Sequence, residues 1–246
     1  MEAFSYSNSP YPIRSDLPDA FRHAWRKISE PGTWWTGAAR VAIAQESRQA
    51  LDCGFCRARK AALSPNAPIE GWHTTCTRLD DKIVDVVHRL VTDPARLSEQ
   101  WLAEIIDEHF TYGHYVETVS VVVTVMSIDY FNKALGFDLE PLPEPSPGQP
   151  SRYEPSNLET KTAWVPMIAK LAEAEEDLWP GSQITNVIRA LSLVPDAVRL
   201  LKSLSAAQYL PMSVIPDPVS SGDRALDRAQ IEFVAAKVSA YNDCFY

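Results

Sequence analysis

The chain has 246 residues, 46% hydrophobic and 22% charged, the make-up of a globular protein with room for one large domain or two of about 100–150 residues. A net charge of −9 argues against a nucleic-acid surface. Met1-Glu2-Ala3-Phe4-Ser5 lacks the basic-then-apolar order of a secretory signal, and the longest apolar run, near 119–126, is well short of the roughly 20 residues that span a bilayer. No membrane partner is therefore expected. Four cysteines without a signal fit a reducing, cytoplasmic compartment. There a close cysteine pair is more often redox-active or metal-binding than a structural staple.

Residues 1–35 read as an N-terminal arm, turn-rich over 1–20, with a short helix at 21–29 stopped by Pro31-Gly32. A helix is predicted over 38–51. Asp52 is the expected N-cap of a second one, beginning at Cys53 and ending before Pro65. Ile83, Val86, Val87 and Leu90 share one helical face, and Ser98 suits the cap of a helix bearing Trp101, Leu102, Ile105 and Ile106. The span 115–135, closed by Gly136, is long enough to favour a buried helix over a strand. Six prolines between 138 and 157 suggest an extended linker, placed at 138–160. Three helical stripes follow: Trp164, Met167, Ile168, Leu171 and Ala172; Ile184, Val187, Ile188 and Leu191; Val198, Leu201 and Leu204. A last helix is predicted over 224–241. With no alternating segments and no Asn-Gly hairpins, the fold class is all-α. The units expected are 36–137 and 161–246.

The chemistry centres on cysteines. Cys53 and Cys56 are three apart, which on a helix puts both sulfurs on one side. In a first turn, free N–H groups and the helix dipole favour the thiolate, and Cys-x-x-Cys spacing does the same. Arg57, Arg59 and Lys60 add positive charge. The pair reads as a redox dithiol in which one sulfur attacks a peroxide and the other resolves the sulfenic acid. Near the other end, Asn242 or Asp243 can cap Cys244. Glu232 lies about 18 Å from it along a straight helix and could act as a proton relay only if the chain folds back. Two other readings stay open. One is a buried structural pair. The other is a zinc site of the Cys3His kind from Cys53-x2-Cys56, sixteen residues, then His73-x2-Cys76. His23 and His88 read as surface or interface residues, His109 and His114 as turn residues, and Trp34-Trp35 as packing.

Glu232 followed by Asn242-x-Cys244-x-Tyr246 resembles the active-site signature of the alkylhydroperoxidase D (AhpD)-like and carboxymuconolactone decarboxylase families. Asn186 to Leu191 with Pro195 resembles their peroxidase-related branch. The helices after Cys56, with Phe131-Asn132 and Ala134-Leu135-Gly136, are similar to those following the cysteine helix in that family. The resemblance implies two AhpD-like helical units, the second cut at its motif. It also implies a homo-oligomer that reduces peroxides with electrons from a thiol donor and needs no cofactor. A decarboxylase is the weaker implication. In the family the second cysteine attacks and the first resolves. Cys56 and Cys53 fill those positions in the first unit, with Lys60 where a histidine is usual and Val41 where Glu232 has its counterpart, although Glu46 is near. In the second unit Cys244 would resolve. The attacking position falls after Tyr246, which suggests a selenocysteine encoded by a recoded UGA. The alternative from another class is a non-catalytic helical protein that oligomerises and is stabilised by the Cys3His zinc site.

Overall fold

Helices account for most of the architecture among the described residues, the longest of them apolar and buried along most of its length. The computed structural model describes residues 3–64, 67–169, 175–178, 185–242 and 244, and among these the protein is all-α, with nine α-helices and one two-stranded ladder. The first helix, α1 (Asp16–Ser29), starts earlier than the sequence predicts. Pro18 lies in its first turn, where a missing N–H costs no helical bond. Asp16 and Asp19 at its start and Arg26 and Lys27 at its end complement the helix dipole. The arm of residues 1–35 is thus no appendage. Phe21, Trp25 and Ile28 are buried in the main core, and Phe4 packs edge-on against Phe21 and Trp25.

Thr36 caps α2 (Gly37–Ala50) by accepting the Ala39 N–H at 3.2 Å. A tight turn leads to α3 (Gly54–Ala61), whose N-cap is Cys53 rather than Asp52. Asp80 caps α4 (Asp81–Thr92), and Ser98 caps α5 (Glu99–Ile105) as expected. The central helix is α6 (Tyr112–Ala134), buried along most of its length and ended by Gly136 at φ 76°. Arg40 pairs with Glu117 at 2.7 Å, and Arg48 grips Asp129 with two bonds of 2.8 Å. Both pairs join α2 to α6 in the same chain direction.

The proline-rich stretch lies against the body instead of standing off as a spacer. Trp25 Nε1 donates to the Pro141 carbonyl, and Arg48 donates to that of Glu140. The N–H groups of Ser146, Ser151 and Arg152 donate to the carbonyls of Ser29, Gly32 and Thr33. Next come β1 (Leu158–Glu159) and β2 (Met167–Ile168), antiparallel with Leu158 opposite Ile168. The helical stripe from Trp164 is therefore overturned. Pro166 removes a donor and pushes Val165 toward extended backbone. Its remaining positions, Leu171 and Ala172, lie outside the described residues, as does Ile184. The helices α7 (Asn186–Arg189), α8 (Pro195–Gln208) and α9 (Arg228–Tyr241) complete the chain.

Two core clusters mix residues from before and after the proline-rich stretch. In the first, Leu200 and Leu204 of α8 join Phe21, Ile43, Val121 and Ile128. In the second, Val165, Met167, Leu193 and Val194 join Val86, Leu102, Phe110 and Val116. No described helix is long and apolar enough to cross a membrane. Phe21→Ala should cost about 3–5 kcal/mol and Leu204→Ala about 2–5 kcal/mol. Urea unfolding should show each loss in one cooperative transition; a separate, unaffected transition in either variant would mean that the two parts fold independently.

Candidate functional site

Four elements meet at one polar cluster inside this helical frame. The apolar face of α2 carries Glu46, fully buried beside Ile43, Ala44 and Ser47. A buried carboxylate needs partners, and it has four. His88 Nε2 stands 2.9 Å from one of its oxygens. The hydroxyls of Thr75 and Thr77 donate to the other at 2.9 and 2.7 Å, and the Cys76 N–H adds a longer bond of 3.4 Å. Glu46 thereby ties α4 and the extended segment 67–80 to α2. These bonds hold its carboxyl below the usual range despite burial.

The second carboxylate, Asp85, lies one turn before His88 on α4. It faces His73 Nε2 at 3.0 Å, Arg59 at 2.6 Å and Arg89 at 2.8 Å. Asp85 is only partly buried, and His73 and the two guanidinium groups keep it strongly ionised. Both histidines thus have Nε2 against a carboxylate, which favours the tautomer with Nε2–H donating and turns Nδ1 the other way.

Both Nδ1 atoms point at the cysteines. Cys56 Sγ lies 3.2 Å from His88 Nδ1 and 3.5 Å from His73 Nδ1, and Cys53 Sγ lies 3.7 Å from His73 Nδ1. Cys53 occupies the N-cap of α3 and Cys56 its first turn, so both sulfurs sit at the positive end of that helix. Burial alone would keep Cys56 protonated, but the imidazoles of His73 and His88 lower its pKa to about 5. Cys53 is also lowered: the N–H groups of Cys56 and Thr74 and the His73 ring outweigh its burial. His73 responds in the opposite sense, raised to about 10 by Asp85 and the sulfurs against its burial. His88 is raised by Cys56 and Glu46, again against burial. Phe55 covers the His73 ring edge-on at 4.9 Å, and the two imidazoles lie 4.3 Å apart.

The structure thus unites Cys53, Cys56 and His73, which the sequence singled out, with His88, which it did not. His88 is fully buried, so its reading as a surface or interface residue is corrected. Cys76 is exposed and its sulfur faces the Gln45 carbonyl and Glu46, each at 3.9 Å. The fourth member of the cluster is His88 in its place. Glu46 and Asp85 carry one visible signal each: a carboxylate on the apolar stripe of α2, and an acid–histidine pair three residues apart beside the apolar face of α4.

Glu232 and Cys244 are not brought together. The helix α9 is unbroken from Arg228 to Tyr241 and has no buried residue. At its start Glu232 accepts from the Tyr209 hydroxyl at 2.5 Å and from Arg228 at 2.6 Å, and both hold its carboxyl low. At its far end the Cys244 N–H caps the Ser239 carbonyl, and Cys244 is exposed. About 13 Å of helix separates Glu232 from Tyr241. Asp243 and Tyr246 lie outside the described residues. His114 is a packing residue, stacked on Phe110 and held neutral, its pKa lowered to about 4 by burial and Arg152.

Two of the four thiols should react quickly with a bulky disulfide reagent in the native, metal-free protein: Cys76 and Cys244. Cys53 and Cys56, at 0% and 1% exposure, should react only on unfolding. Peptide mapping after a short labelling pulse checks this. Comparison of the chain with family models, with curated proteins and with solved structures finds no match. The resemblance to the AhpD-like families therefore rests on the quoted residues alone.

Proposed function

We propose that the protein is a thiol oxidoreductase that reduces small peroxides at Cys56, with Cys53 as the resolving thiol. The observation that carries this reading is the line Cys56–His88–Glu46. A sulfur lies 3.2 Å from a ring nitrogen whose other nitrogen is anchored 2.9 Å from a buried carboxylate. Nucleophile, base and orienting acid in that order form the arrangement that activates a cysteine. This relay differs from the one expected at Glu232 and Cys244, and it lies in the half of the chain that supplies both cysteines.

The Cys56 thiolate attacks the terminal oxygen of a hydroperoxide, ROOH. The S–O bond forms as the O–O bond breaks, and the departing alkoxide takes a proton from His88, leaving ROH and a sulfenic acid. The Cys53 thiolate then attacks the Cys56 sulfur. The S–S bond forms, the S–O bond breaks, and hydroxide leaves as water with a proton from His73. Two thiols and ROOH have become a disulfide, ROH and H2O. An external dithiol restores the pair by exchange, itself becoming oxidised. Glu46 stays ionised and holds the His88 tautomer, and Asp85 does the same for His73. Burial of both sulfurs, at 0% and 1% exposure, favours a compact peroxide over a bulky one.

Metal-free protein should consume hydrogen peroxide with dithiothreitol as reductant and pass through a Cys53–Cys56 disulfide seen by mass spectrometry. Cys56→Ser should abolish turnover. His88→Asn and Glu46→Gln should slow it by about 100-fold or more, the scale of a positioned acid–base group. Undiminished turnover in Cys56→Ser, or oxidation confined to Cys76 and Cys244, would rule the reading out.

A further inference from the structure

We infer that the reduced cluster is a zinc site with Cys53, Cys56, His73 and His88 as its four ligands. The inference uses the side chains of the proposed dithiol chemistry but does not depend on that chemistry. Among the described residues, the ligand atoms of at least three His, Cys, Asp or Glu converge at this one place, and the four lie within 4.8 Å of one another. Zinc–sulfur bonds of about 2.3 Å and zinc–nitrogen bonds of about 2.0–2.1 Å set the edges of a tetrahedral site. Those bonds place sulfur about 3.5 Å from nitrogen. Three of the four sulfur–nitrogen separations here are 3.7, 3.5 and 3.2 Å, and the fourth lies within 4.8 Å. One ion at the centre reaches these atoms with little movement.

The surroundings fit the same purpose. A ligating histidine usually donates its second ring nitrogen to a carboxylate, which fixes the tautomer that offers a lone pair to the metal. Both histidines have that support, His73 from Asp85 and His88 from Glu46. Asp85 is itself held by Arg59 and Arg89, and Glu46 by Thr75 and Thr77. Two thiolates balance the ion's charge, and two soft sulfurs with two imidazoles favour zinc over magnesium or calcium. Three of the four ligands are buried and His73 nearly so. All four positions belong to the protein, which is the closed pattern of a structural site.

The ion therefore joins α3, the segment bearing His73, and α4. It also occupies the sulfurs that peroxide would oxidise, so zinc and peroxide compete for the reduced pair. The zinc ligand set is Cys2His2, not the Cys3His set that the sequence spacing allows.

The test titrates the reduced, metal-free 246-residue chain with zinc sulfate and, in parallel, with cobalt chloride as a spectroscopic probe. One ion per chain is expected, with the thiolate-to-cobalt absorption and strong visible bands of a tetrahedral S2N2 site. Cys76→Ser should bind normally, whereas His88→Gln should lose the tetrahedral spectrum. Asp85→Asn, which leaves every ligand in place, should bind about 10- to 100-fold more weakly. Circular dichroism checks that each variant is folded, and should His88→Gln fail to fold, Cys76→Ser and Asp85→Asn decide. No stoichiometric binding to the wild type, an octahedral cobalt spectrum, or loss of binding in Cys76→Ser would overturn the inference. Peroxide turnover without zinc binding would sink the metal site and leave the thiol chemistry standing. Tight zinc binding with no turnover in the metal-free protein would do the reverse.

Discussion

The buried carboxylate of Glu46 is the constraint on which the site depends. A carboxylate taken out of water must be matched by donors, or it costs several kcal/mol. Its donors come from two different parts of the chain, His88 on α4 and Thr75 and Thr77 on the extended segment. Satisfying one buried charge thus gathers three pieces of backbone and presents one imidazole to the sulfurs. Asp85 repeats the device with His73, and Arg59 links it to the cysteine helix. The cysteines need only stand at the start of α3 to meet both rings. The arrangement is a polar network in which each member holds the next, so its geometry is stiffer than a pair of cysteines on a helix would suggest.

The frame around it is built on the same principle at larger scale. Two ion pairs, Arg40 with Glu117 and Arg48 with Asp129, fix α2 along α6. The apolar contacts between these helices set how close they lie. The ion pairs set their register, because a buried arginine or glutamate cannot slide a turn without losing its partner. Register matters here, since it decides where along the core Glu46 is placed.

Much of the helical content was legible in the sequence because apolar spacing marks the buried faces, and Ser98 begins α5 as its cap, although the cap expected at Asp52 falls at Cys53. Misreadings came where a proline was given the wrong weight. Pro18 falls in the stretch 1–20 that reads as turn-rich, and instead lies in the first turn of α1. Pro166 was overlooked inside an apolar stripe and yields β2. Of the site, the Cys53–Cys56 pair and His73 were visible by spacing. His88 was not, because its role depends on α4 crossing α2, and no local pattern encodes a crossing. Glu46 could have been found, for a charged residue three positions after a core isoleucine is anomalous on a buried face. Cys244 shows the converse: exposed just past the end of α9, it lacks the burial that shapes the first pair's chemistry.

The packing of α1 against α8 has a consequence for how the chain acquires its structure. These helices are separated by well over 100 residues, yet they share a core cluster, and Arg14 near the start donates to the Ala207 carbonyl. During synthesis, the face of α1 carrying Phe21, Trp25 and Ile28 emerges long before α8 exists. Contacts of such sequence separation close slowly, and the waiting apolar surface is exposed to other chains. The helix α1 is thus made long before the partner that completes its packing.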